Sequence, residues 1–152
     1  MTITTADELR ANLVGTWTLH SYVSTTVDGN DVGYPLGPDA RGIIMYTPDG
    51  YMSAQLMRSD RTPFSRNDPH LAHDNELAAA AEGYFNYAGP YSVVEDGLIA
   101  HHVELSLVPN WIGGIQYRTA KLVDSRLELS PPEPMLMQGE QRIAKLVWCR
   151  AA

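Results

Sequence analysis

Two adjacent histidines, His101 and His102, sit in "LIAHHVELSLVP", a run that otherwise reads as a β-strand. Neighbouring strand side chains point to opposite faces, so one imidazole faces an interior and the other faces out. Alternation puts Ile99, His101, Val103, Leu105 and Leu107 on one face, and Ala100, His102, Glu104, Ser106 and Val108 on the other. The first set is the apolar one, which predicts His101 inside and His102 in water beside Glu104. An inward imidazole can move a proton near neutral pH, or it can be a neutral, hydrogen-bonded core residue. If His102 faces in instead, Glu104 and Ser106 come with it.

Other residues capable of chemistry are more scattered. His102 and Glu104 could offer two ligands to a metal, but no third is evident, so an exposed polar pair is favoured. His70 and His73 lie near Asp68 and Asp74 in a polar loop, where a solvated segment is the simpler reading. No metal or cofactor is expected. His20 falls opposite Trp17 and is held in reserve. The single cysteine, Cys149, excludes an intramolecular disulfide and reads as a structural thiol suited to a reducing compartment. Eight tyrosines against two phenylalanines is an unusual ratio. Tyr46, Tyr51, Tyr84, Tyr87, Tyr91 and Tyr117 fall in strand-like runs, where they pack or line a cavity with hydroxyls. Arg58, Arg61 and Arg66 accompany a long loop and read as solubilising. Arg118, inside a strand, is either an outer-face residue or an anion clamp. The sequence has no phosphate-binding glycine loop, Gly-x-Ser-x-Gly elbow, Cys-x-x-Cys or dinucleotide fingerprint.

The elements that must position these residues are mostly strands. Thr5 and Glu8 make a capping box for a short helix over 5–13. "GTWTLHSYVSTT" is a first strand, with Trp17, Leu19, Ser21 and Val23 assigned to one face. "RGIIMYTPDGYMSAQLMR" is a hairpin turning at Pro48-Asp49-Gly50, and its strands are apolar on both faces. After a polar loop and a short Ala-rich helix ending at Gly83, strands are expected over 84–95, 98–108, 114–123, 126–130 and 142–150, with "PPEP" as a turn segment. In the last of them Ala144, Leu146 and Trp148 form the uncharged face. About eight regularly spaced strands predict an all-β, antiparallel sandwich or barrel.

Size and charge bound the rest. With 152 residues, 1–152 reads as one domain. A net charge of −7 without a basic cluster argues against nucleic acid and anionic membranes as partners. The start "MTITTADELRANLVG" lacks signal-peptide features and no apolar run suits a membrane span, so a cytoplasmic protein is expected.

"LVGTWTLHSY", "PLGPDARGIIMYTPDGYMSAQLMR", "YFNYAGPYSVVEDGLIAHHVELSLVPNWIGGIQYR" and "RLELS" together resemble the bacterial and fungal lipocalin-like domain family. The resemblance implies an antiparallel barrel closed at one end by the N-terminal helix and Trp17, with Arg150 or Arg142 stacked on that Trp. The other end would open onto a cavity for a small hydrophobic or amphipathic molecule. Combined with the strand parities, it nominates His101, Tyr87 and Tyr117 as catalytic. Trp17, Tyr46, Met52, Tyr91, Val103, Leu105, Trp111, Arg118 and Trp148 are the expected ligand contacts. Some relatives serve secondary metabolism, which implies a cofactor-free isomerase, cyclase or lyase acting on a polyketide- or terpenoid-like substrate. The alternative is a carrier with the same cavity and no turnover. A third reading, a homodimer built on the outer sheet face, suits a closed barrel less well.

Overall fold

The computed structural model describes residues 1–151. Its elements run β1 (Thr2–Ile3), α1 (Ala6–Leu13), β2 (Gly15–Thr26), β3 (Val32–Gly33), β4 (Arg41–Tyr46), β5 (Tyr51–Met57), α2 (Asp74–Glu82) and β6 (Tyr84–Glu95). They continue with β7 (Leu98–His102), β8 (Ile115–Val123), β9 (Arg126–Ser130), β10 (Met135–Met137) and β11 (Glu140–Arg150). Strands β2, β4, β5, β6, β7, β8, β9 and β11 pair antiparallel in that order, and β11 returns to β2. The result is the expected closed eight-stranded barrel. The small strands β1, β3 and β10 extend it by pairing with β8, β2 and β11. Among the described residues, no helix is long and apolar enough to cross a membrane.

One end is sealed by α1. Thr5 caps it by accepting from the Glu8 amide, and Leu9 and Leu13 drop into the core. The Trp17 indole N–H donates to the Leu13 carbonyl at 2.9 Å. Of the two arginines considered for stacking on this ring, it is Arg150, whose guanidinium lies 4.1 Å from the ring centroid. The same guanidinium donates to the carbonyls of Asn12 and Val14, at 2.6 and 3.0 Å. The end of α1 would otherwise leave carbonyls without partners. Arg142 lies at the opposite end, bound to Ser24, Asp31 and Glu140.

Two irregularities decide what faces inward. In the β2–β11 ladder Val147 opposes Ser21 while Trp148 opposes Leu19, leaving His20 as an extra residue. Such a bulge shifts the alternation by one. Trp17 and Leu19 therefore point in, but beyond the bulge the inward residues are Tyr22 and Ser24, not Ser21 and Val23 as strict alternation predicts. His20 is exposed.

The second irregularity shortens the histidine strand. The expected strand over 98–108 ends at His102, and the chain then folds across β6. Amides of Glu104 and Leu105 donate to the Ala88 carbonyl, and Asn86 accepts from the Leu107 amide at 2.7 Å. This crossing needs a residue without a side chain. A Cβ on Gly89 would stand 1.9 Å from the His102 carbonyl oxygen. As a consequence Leu105 and Leu107, read as inward, are exposed.

"PPEP" leads into an unforeseen hairpin between β10 and β11. Its turn, Gln138-Gly139, has φ of 52° and 86°, the primed geometry that matches strand twist.

Candidate functional site

The barrel interior holds a cavity of about 1230 Å³. Its wall is largely apolar and aromatic, with Ile44, Leu56, Phe85, Trp111, Leu129 and Trp148 contributing. The loop after β5 and helix α2 border its mouth through Arg61, Phe64 and Ala79. Glu76 ties these two segments together, accepting from the amides of Ser65 at 2.7 Å and His73 at 3.0 Å. Those bonds hold its carboxyl below the usual range.

His101 lies at the cavity wall with 1% of its surface exposed. Its position follows from register: β7 places it opposite Tyr91 on β6 and Gln116 on β8. Both ring nitrogens are occupied. The Tyr46 hydroxyl lies 2.8 Å from Nε2, and the Tyr87 hydroxyl lies 2.8 Å from Nδ1. Tyr46 stands behind the histidine in the core, edge-on to the Tyr91 ring at 4.8 Å between centroids. Tyr87 stands in front, on the cavity wall, edge-on to Trp111.

Burial, reinforced by the charge on Arg118 and by His102, pushes the His101 pKa down to about 3. The imidazole is therefore neutral near pH 7, with one N–H and one bare nitrogen. The partners assign the tautomer. Tyr46 is 2% exposed, and among the described residues its hydroxyl hydrogen-bonds only His101. Were it to accept from Nε2, its own proton would be orphaned in the core, at a cost of about 1–3 kcal/mol. So Tyr46 donates to Nε2, and Nδ1–H donates to the Tyr87 oxygen. The Tyr87 proton is left free to point into the cavity. Burial also raises the pKa of Tyr46 and Tyr87, against the lowering pull of Arg118, so both remain phenols.

Arg118 adds a cation to the inner wall near His101. It pairs with Ile99, one diagonal step from His101 on the inward face of β7 and β8. Its guanidinium donates to the Tyr117 carbonyl at 2.7 Å and the Gln116 side chain at 3.2 Å. Tyr22, brought inward by the β2 bulge, completes the polar group. Burial pushes its phenol up to about 12, with Arg118 lowering and Tyr87 raising it.

Of the residues nominated from sequence, His101, Tyr87, Trp111, Arg118 and Trp148 lie on the cavity wall. Tyr46 and Tyr91 stand behind His101. Met52 and Val103 are buried in the core, and Trp17 belongs to the closed end. Leu105 is 71% exposed and Tyr117 is 43% exposed, both outside the cavity. Tyr117 pairs with Ala100, so it shares the outer face of β8 while its neighbour Arg118 points in. His102 is half-buried, Glu104 is exposed, and His73 precedes α2. Sequence reasoning missed Tyr22, Phe85 and Met135 on the wall. Only Phe85 carried a signal: it shares the parity of Tyr87 in β6.

A closed antiparallel barrel sealed at one end by a helix, with an apolar cavity and a few inward polar groups, has the architecture of a calyx. The chain belongs to the lipocalin-like domain family, which matches residues 14–151. It is similar to the 4'-hydroxy-3'-methoxypropiophenone carrier protein ppsC of Aspergillus oryzae, at 35% identity over 105 residues. That alignment covers 64% of this chain and 94% of the relative. No solved structure matches the chain significantly.

Proposed function

We propose that this protein is a carrier of a small aromatic molecule, held in the barrel cavity and released unchanged. The observation that carries this reading is the capping of both His101 nitrogens by tyrosine hydroxyls. An imidazole so engaged, with its pKa near 3, makes no direct contact with a ligand and is a weak base at neutral pH. The group instead acts as a rigid scaffold that aims the Tyr87 hydroxyl. The cavity's aromatic wall and the similarity to a protein named as the carrier of a phenolic ketone support an aryl ligand, in keeping with a place in secondary metabolism.

The cofactor-independent isomerase, cyclase or lyase reading retains one foothold. Tyr87 meets the cavity and is backed by an imidazole, so a proton lent to a bound carbonyl could be replaced through Nδ1. One experiment separates the two. Titration of 4'-hydroxy-3'-methoxypropiophenone into the protein, followed by tryptophan fluorescence, should saturate at one equivalent. Extraction after long incubation should then return the compound intact. Loss of the compound with a matching product would replace the carrier with an enzyme.

A further inference from the structure

We propose that the cavity anchors its ligand as an oxyanion, a phenolate seated on the Arg118 guanidinium and the Tyr87 hydroxyl. The proposal rests on the carrier reading and names the chemistry of the group that the carrier recognises.

The first support is a charge inventory. Four arginines line the cavity, Arg58, Arg61, Arg118 and Arg142, together with the carboxylates of Asp31, Asp60, Glu76, Glu82 and Glu140. Arg58 is paired with Asp60, and Arg142 with Asp31 and Glu140. Arg61 lies over the Tyr84 ring and donates to the carbonyls of Ala80 and Gly83 at the mouth. Arg118 alone stands deep beside the His101 group, and its hydrogen bonds go only to neutral acceptors. Among the described residues it has no carboxylate within ion-pair distance. A partly enclosed cation without a counter-charge is a vacancy for an anion.

The second support is independent of charge. The Tyr46–His101–Tyr87 chain consumes every donor and acceptor of the imidazole and leaves one proton over, on the Tyr87 oxygen. That proton needs an acceptor in the cavity. Tyr22 adds a further hydroxyl on the same wall, and among the described residues it has no hydrogen-bond partner. Three donors therefore face a cavity whose wall is otherwise built largely of aliphatic and aromatic side chains. A charged oxygen attached to an aryl ring satisfies both halves, and hydrogen bonds to an ionised acceptor are the stronger kind.

The titratable and charged groups around this point are Tyr22 from β2, Tyr87 from β6, His101 from β7 and Arg118 from β8, with Tyr46 from β4 behind His101. Near pH 7 only Arg118 is charged. Binding of a phenol as phenolate thus releases its proton to solvent; no group in the site takes it up.

The test uses the full chain with two probes, 4'-hydroxy-3'-methoxypropiophenone and its 4'-methyl ether, at a pH one to two units below the free phenol's pKa. The phenol should show the red-shifted phenolate absorption on binding, release protons into weak buffer, and bind about tenfold or more tighter than the ether. Arg118→Gln should abolish the red shift and bring the two affinities together, while Arg118→Lys should retain part of both. Circular dichroism and the thermal-unfolding midpoint confirm that each variant is folded, and a red shift that survives in Arg118→Gln would also overturn the anchor. If both probes bind the wild type equally, with no red shift, the carrier reading stands and the oxyanion anchor is overturned. If neither probe binds, the carrier reading for aryl ligands falls, and the anchor with it.

Discussion

Replacing Tyr46 with Phe removes a single oxygen that never touches the cavity, yet the site predicts two effects. The first is on stability. His101 Nε2 loses the only donor that reaches it, and the imidazole is 1% exposed, so water cannot substitute without a rearrangement. Leaving one buried polar atom unpaired costs about 1–3 kcal/mol. For a chain of this length that lowers Tm by roughly 3–9 °C. The second effect is on the tautomer. With no donor at Nε2, the imidazole gains nothing by keeping its proton on Nδ1, and Nδ1 can accept from Tyr87 instead. The Tyr87 proton then turns away from the cavity, and a ligand oxygen loses a hydrogen bond worth about 0.5–1.5 kcal/mol. Affinity for an oxygen-bearing aryl ligand should fall by about two- to tenfold. Thermal unfolding and fluorescence titration of Tyr46→Phe measure both. The double variant with His101→Phe should be destabilised by less than the two single variants combined, since each alone strands the other's polar group. A Tyr46→Phe protein with unchanged Tm and unchanged affinity would refute the relay.

Three further outcomes follow from the same structure. The folded His101 pKa is near 3 against an ordinary value of 6.5, so below about pH 6.5 the unfolded chain binds a proton that the folded one does not. Stability should therefore fall as pH drops from 6.5 towards 3, by about 1.4 kcal/mol per unit from this group, and His101→Gln should flatten that slope in urea titrations. Gly89→Ala should cost about 3 kcal/mol or more, because its methyl would meet the His102 carbonyl at 1.9 Å, and soluble yield and Tm report it. Arg150→Ala removes the cation over Trp17 and two carbonyl contacts at the closed end, for a loss of about 1–3 kcal/mol without effect on ligand affinity.

The barrel was legible because its signals are local. The Pro48-Asp49-Gly50 turn, the Thr5–Glu8 cap and the alternation in β6 and β11 each announce an element without reference to the rest of the chain. His101 was placed correctly because Ile99 and His101 fall within the regular part of β7. The same rule failed at Leu105, since the strand had already ended at His102 and the chain had crossed over Gly89. Alternation cannot show where a ladder stops. Tyr22 was assigned outward because the extra residue His20 in β2 is defined only by its partner β11. Tyr117 and Arg118 are adjacent, and which of them faces in depends on the β7–β8 register, which pairs Arg118 with Ile99. The fold could be read from one strand at a time, whereas the site depends on pairs of strands.

A structure of the protein with 4'-hydroxy-3'-methoxypropiophenone bound tests the central claim most directly. The expected result is an intact ligand inside the barrel, its ring against Trp111 and Phe85 and its phenolic oxygen within hydrogen-bond distance of Tyr87 and Arg118. His101 should remain held between Tyr46 and Tyr87. A ligand seated outside the barrel, or one that displaces Tyr87 to contact His101 directly, would contradict it.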